Sequence, residues 1–118
     1  MKIFGIYQAN GGLMGEISYI FRKLVLKHNC SLCKVTHRGL MVKPDWKDYI
    51  KTLNIYFELL HINEQPAEMY VYTRGHTPCV IANIDGNYVI LMDSEMIDGC
   101  NGNVEKFSTL LDKSLKDL

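Results

Sequence analysis

The chain has 118 residues, 47% of them apolar and 22% charged, and its 13 basic and 13 acidic side chains cancel. That length and balance fit one globular domain over residues 1–118 and exclude a disordered chain. Without a basic block or aromatic–basic interleaving there is no electrostatic footprint for nucleic acid. No stretch approaches the roughly 20 apolar residues of a membrane span. The Met1–Tyr7 run is too short for a signal-peptide core, so the expected location is the cytoplasm, with no membrane partner.

Lys2–Gln8 carries Ile3, Phe4, Ile6 and Tyr7 in a nearly continuous apolar run, as expected of a strand covered on both faces. Ala9-Asn10-Gly11-Gly12 breaks it. From Leu13 to Lys27 the period becomes helical, with Leu13, Ile17, Ile20, Phe21 and Leu24 on one stripe. Asn29 is an expected N-cap for a short helix that places Cys30 in its first turn and Gly39 at its C′ position. Pro44 and Asp45 open another helix running to about Leu53. Ile55–Ile62 reads as a second strand, and Glu64–Tyr72 as a short helix or loop with Pro66 near its start. Thr77-Pro78 leads into two alternating segments, Cys79–Ile84 and Asn87–Met92, joined by Asp85-Gly86, a strong hairpin signal. Asn103 caps a last helix with Val104, Phe107, Leu111, Leu115 and Leu118 inward. The order predicts an α/β fold with a mixed sheet of about four strands flanked by helices, its first two strands joined by a parallel crossover.

The four cysteines, at 30, 33, 79 and 100, are too few for a disulfide-stapled secreted domain. In a reducing compartment a close pair points instead to redox or metal chemistry. Cys30-Ser31-Leu32-Cys33 puts two sulfurs within bridging reach on one helical turn. Lys27, His28 and Lys34 flank it, and the helix N-terminus and nearby cations favour a thiolate. Cys30 would then attack a substrate disulfide and Cys33 would resolve the mixed disulfide. The competing chemistry is zinc held by Cys30, Cys33 and His37, with a fourth ligand among His28, His76, Cys79 and Cys100. The plainer readings are packing for Cys79 and Cys100, a surface position at a helix end for His37, and a satisfied sheet histidine for His61. Trp46, Tyr49, Tyr56 and Phe57 read as core. Asn10–Gly15 lacks a complete phosphate-binding motif and reads as a tight turn.

The Cys30/Cys33 pair, Thr77-Pro78 ahead of the third strand, the Asp85-Gly86 hairpin and the closing helix together make the chain resemble the thioredoxin and glutaredoxin-like superfamily. That resemblance implies a thiol–disulfide oxidoreductase in which a cis proline, here Pro78, packs against the dithiol. It implies supporting roles for Thr77 and for His76, which would face the pair, beside His37. It differs in carrying an extra N-terminal helix, Leu13–Lys27, between the first strand and the pair. The segment Cys30-Ser-Leu-Cys33-Lys-Val-Thr36-His37 also resembles small uncharacterised bacterial proteins with a Cys-x-Leu-Cys-x-x-Thr-His segment. The expected function is thiol–disulfide exchange or redox sensing, without a cofactor, toward a protein or small-molecule thiol or disulfide. The alternatives are a zinc-binding or protein-interaction module and a scaffold whose cysteines are inert.

Overall fold

The computed structural model describes residues 1–8, 30–38 and 41–118. The expected glycine turn at 10–15, the helix at 13–27, the Asn29 cap, the flanking Lys27 and His28, and Gly39 lie outside them.

β1 (Lys2–Ile6) forms where the apolar run requires it. It lies inside a four-stranded sheet of order β4–β1–β5–β6, with β4 (Tyr56–Leu60), β5 (Cys79–Ile84) and β6 (Asn87–Met92). β1 runs parallel to β4 and antiparallel to β5, and β5 and β6 are an antiparallel pair. The mixed sheet read from the sequence is therefore present. Side chains alternate across it as the pleat demands. Ile3, Tyr7, Val80 and Ala82 enter one core, while Phe4, Ile6, Cys79 and Ile81 enter the other. The turn between β5 and β6 is Asp85-Gly86, at φ 53° and 86°. Left-handed backbone at both positions is the twist-matched hairpin turn, and glycine adopts it without Cβ crowding.

Five helices surround the sheet among the described residues: α1 (Ser31–Thr36), α2 (Pro44–Leu53), α3 (Ala67–Thr73), α4 (Ser94–Gly99) and α5 (Val104–Lys116). Leu32 and Val35 of α1, Trp46 of α2 and Phe107 and Leu111 of α5 fill the first core; Met69 of α3 closes the second. α2 has proline at its first turn, Asp45 early, Lys51 late and left-handed Asn54 at its end, each placed as the dipole and the end geometry favour. In α5, Asn103 Oδ1 accepts from Lys106 N at 3.0 Å, so the expected cap forms.

Several expectations are corrected. α1 starts at Ser31 with Cys30 itself as N-cap, and it ends at Thr36. His37–Arg38 is extended and pairs as β2 with β3 (Met41–Val42). His37 is thus the C-cap of α1, its backbone N–H donating to the Cys33 carbonyl, and also the first residue of β2. It stands at the helix end as expected but is half-buried rather than on the surface. The helix stops there because β-branched Val35 and Thr36 add little helix propensity and pairing with β3 takes over. β4 is shorter than Ile55–Ile62 because Ile62–Glu64 tightens into a 3₁₀ turn, which His61 caps. Tyr56 begins an edge strand and is exposed rather than core. Leu118 lies beyond α5 and is also exposed. α4 has no counterpart in the sequence reading.

Gly5 sets how closely α1 approaches the sheet. A Cβ there would lie 2.8 Å from Leu59 Cδ2 and 3.4 Å from Leu32 Cδ2, so the bare backbone lets both leucines settle over β1.

Candidate functional site

The site is built on the first turn of α1. Cys30 is extended, with φ −139° and ψ 101°. Its sulfur occupies the place of a capping oxygen: Cys33 N–H donates to Cys30 Sγ at 3.3 Å, which satisfies one of the helix's orphan donors. Cys30 and Cys33 are joined by a disulfide, with Cα atoms 5.3 Å apart. Both cysteines are fully buried. No acidic side chain lies in the first turn of α1 to oppose a thiolate. Ser31 Oγ is buried with no hydrogen-bond partner among the described residues. Lys34 packs on the turn after α4, where a Cβ on Gly102 would fall 3.2 Å from Lys34 Cβ.

Thr36, one turn beyond Cys33, is the hub of a hydrogen-bond cluster. Its Oγ1 lies 2.9 Å from the Tyr7 hydroxyl, 2.7 Å from His37 Nδ1 and 3.5 Å from the Cys33 carbonyl oxygen. Burial pushes the Tyr7 phenol well above its ordinary range, so it stays protonated. Burial first, and then the charge of nearby His61, holds His37 below the usual histidine range. The Tyr7 ring centroid lies 6.4 Å from that of His37 and 5.3 Å from that of His61. His61 is fixed in turn by Glu64, whose Oε1 accepts from its backbone N–H at 2.6 Å and lies 2.7 Å from its Nδ1. The β1–β4 register ends at Ile6↔Leu60. Tyr7 and His61 thus leave adjacent parallel strands side by side, at the carboxyl ends where α/β sheets gather their sites.

Thr77 and Pro78 reach this end of the sheet from the other side. The Thr77–Pro78 peptide bond is cis and Pro78 is buried. The register Ile6↔Cys79 brings Thr77 alongside Gln8, and Thr77 Oγ1 donates to Gln8 Oε1 at 2.7 Å. A cleft of about 270 Å³ opens beside them, lined by Gln8, Gln65, Tyr70, Arg74 and Thr77 among others. His76 is exposed, and its backbone N–H donates to Thr73 O at 2.9 Å. No described bond links its ring to the pair.

The remaining thiols stand apart. Cys79 belongs to the core on the opposite face from the pair, and burial pushes its thiol up to about 12. Cys100 shares the pair's core but points its sulfur at the Met96 carbonyl, 3.4 Å away; burial raises its thiol as well. Among the described residues no group of three or more His, Cys, Asp or Glu side chains is placed to hold a metal ion. No described helix is long and apolar enough to cross a membrane.

The sequence reading named Cys30, Cys33, Pro78, Thr77, His76 and His37; the structure joins the two cysteines, sets His37 against Thr36 and bonds Thr77 to Gln8. It missed Tyr7, Thr36, His61 and Glu64 as a cluster. The available signal was weak: a tyrosine closing one strand and a histidine closing its parallel neighbour. No protein-family model matches the chain, and neither a curated protein nor a solved structure matches it.

Proposed function

We propose that the chain is a thioredoxin-like thiol protein that exchanges or senses disulfides through Cys30 and Cys33. The observation that carries this reading is the bond between them at the start of a helix. Paired thiols there, a buried proline entering β5 and a β5–β6 hairpin followed by a closing helix are features the superfamily resemblance implies. They support it.

Cys30 is the sulfur best placed to be a thiolate. After reduction it can keep the Cys33 N–H bond, which becomes charge-assisted, at the positive end of α1. In exchange with a dithiol, an incoming thiolate attacks one sulfur, the Cys30–Cys33 bond breaks, and the departing sulfur takes up a proton. The second reagent thiol then closes a ring and releases the other cysteine. Two electrons and two protons pass from the reagent to the pair. Since both sulfurs are buried, attack requires the first turn of α1 to open. For a helix of six residues such opening is inexpensive. The cleft at the Gln8–Thr77 end of the sheet, lined by Arg74 and the amide side chains Gln8 and Gln65, suits a small disulfide that carries carboxylates.

Intact mass spectrometry of protein purified without reductant or chelator tests the assignment. A mass two hydrogens low, mapped to Cys30 and Cys33 and reversed by dithiothreitol without unfolding, is the expected result. Cys30→Ser should abolish reduction of a small disulfide substrate. Full activity in that variant, or a gained zinc in place of the lost hydrogens, would overturn it.

A further inference from the structure

We propose that the Tyr7 and Thr36 hydroxyls form a clasp that positions α1 and so sets the thiol–disulfide equilibrium of Cys30 and Cys33. This inference rests on the exchange reading above.

α1 has only six residues, too few to be stable by itself. Cys30 is its N-cap and Cys33 lies in its first turn, so the two sulfurs meet only while that turn is formed. At the other end, the Tyr7 hydroxyl and Thr36 Oγ1 meet at 2.9 Å in a buried contact between the end of β1 and the last residue of α1. Thr36 extends the contact to His37 Nδ1, at 2.7 Å, and to the Cys33 carbonyl. In the disulfide form the helix is held covalently at its start and by hydroxyls at its finish.

Reduction removes the first tie. The turn then persists through its own hydrogen bonds, from Cys33 N–H to Cys30 Sγ and from Lys34 N–H to the Cys30 carbonyl, together with packing and the clasp. The population of formed turn fixes how readily the thiols rejoin. Coupling of this kind is reciprocal: whatever favours the formed turn favours the disulfide, and the disulfide favours the clasp. Tyr7 and Thr36 are therefore positioning residues, since neither exchanges electrons with the substrate.

The test is the equilibrium of the full-length protein with dithiothreitol, quantified by trapping free thiols. Tyr7→Phe removes only the hydroxyl, and Thr36 keeps His37 as a partner. The constant for forming the Cys30–Cys33 bond should fall by up to about fivefold, the worth of one hydrogen bond, or about 20 mV for a two-electron couple. Tyr49→Phe is the control: it removes a phenol that donates to Asp112 at 3.0 Å on α5 and should leave the constant unchanged. A second readout is the His37 imidazole resonance, which should move on reduction of the wild type and stop moving in Thr36→Val. If Tyr7→Phe matches wild type, or Tyr49→Phe shifts equally, the clasp is refuted and the exchange reading stands. If wild type reaches no equilibrium with dithiothreitol, both fall.

Discussion

Reducing the Cys30–Cys33 bond is the most informative perturbation, because its cost in stability can be worked out beforehand. The crosslink spans a sequence separation of 3. On the chain-entropy account, a closed loop of about four residues is worth roughly 2 kcal/mol at 25 °C, less than half the value for a loop of about 100 residues. Two buried thiols replace two buried sulfurs, so apolar burial hardly changes. With an unfolding entropy near 2.1 cal/mol/K per residue, the loss corresponds to a fall in Tm of about 8 °C. Trp46 is the natural reporter: it is the single tryptophan, 4% exposed, and its ring centroid lies 5.3 Å from that of Phe107 in the main core. Thermal and urea unfolding followed by its fluorescence, with and without dithiothreitol, should show two cooperative transitions separated by that amount. The double variant Cys30→Ser/Cys33→Ser should be indifferent to reductant. Identical transitions would mean that no such crosslink forms in solution. Loss of cooperative unfolding on reduction would make the bond a structural staple, and the reasoning from loop size would fail.

Gly102→Ala should destabilise the protein by about 2 kcal/mol: the left-handed backbone costs a side chain roughly 1–2 kcal/mol, and the new Cβ meets Lys34 Cβ and its carbonyl oxygen at 3.2 and 3.3 Å. Gly86→Ala, at φ +86° with open space around it, isolates the backbone cost and should be the milder change in the same urea series. Cys79, its thiol raised to about 12 by burial, should resist iodoacetamide in native protein at pH 8 and react fully in urea, as read by mass. His37 is held below its unfolded value near 6.5, so the unfolded chain takes up its proton first on acidification. The stability His37 lends is complete above about pH 6.5 and is lost as pH falls through the lower native value. Urea midpoints measured against pH should therefore lose part of their slope in His37→Gln; an unaltered slope would refute this.

What the sequence disclosed divides by the range of the interaction responsible. The β5–β6 hairpin and α5 were legible because their signals are local: Asp85-Gly86 supplies two left-handed residues, and Asn103 stands three residues before the amide it caps. The start of α1 was misplaced by one residue because a cysteine sulfur, not an oxygen, accepts the capping N–H. β2 and β3, of two residues each, are too short to carry a period. α4, with six residues, had a usable cue in Asp93, whose Oδ1 accepts from Met96 N at 2.9 Å. Tyr56 looked like core because its residue type is amphipathic; only the strand order shows that it begins an edge. The Tyr7–Thr36 contact joins residues 29 positions apart. Nothing in the local pattern of either residue marks the other.

The two-sided sheet has a consequence for oxidative chemistry. Alternation along β5 sends Cys79 to the face opposite Cys30, Cys33 and Cys100, so backbone hydrogen bonds and packed side chains partition the thiols like the plates of a capacitor. A shuffled bond between Cys79 and any other cysteine can form only after β5 leaves the sheet. Such a crosslink, found by peptide mapping, would therefore be a chemical record that the molecule had unfolded, whereas a Cys30–Cys33 bond is made with every strand in place.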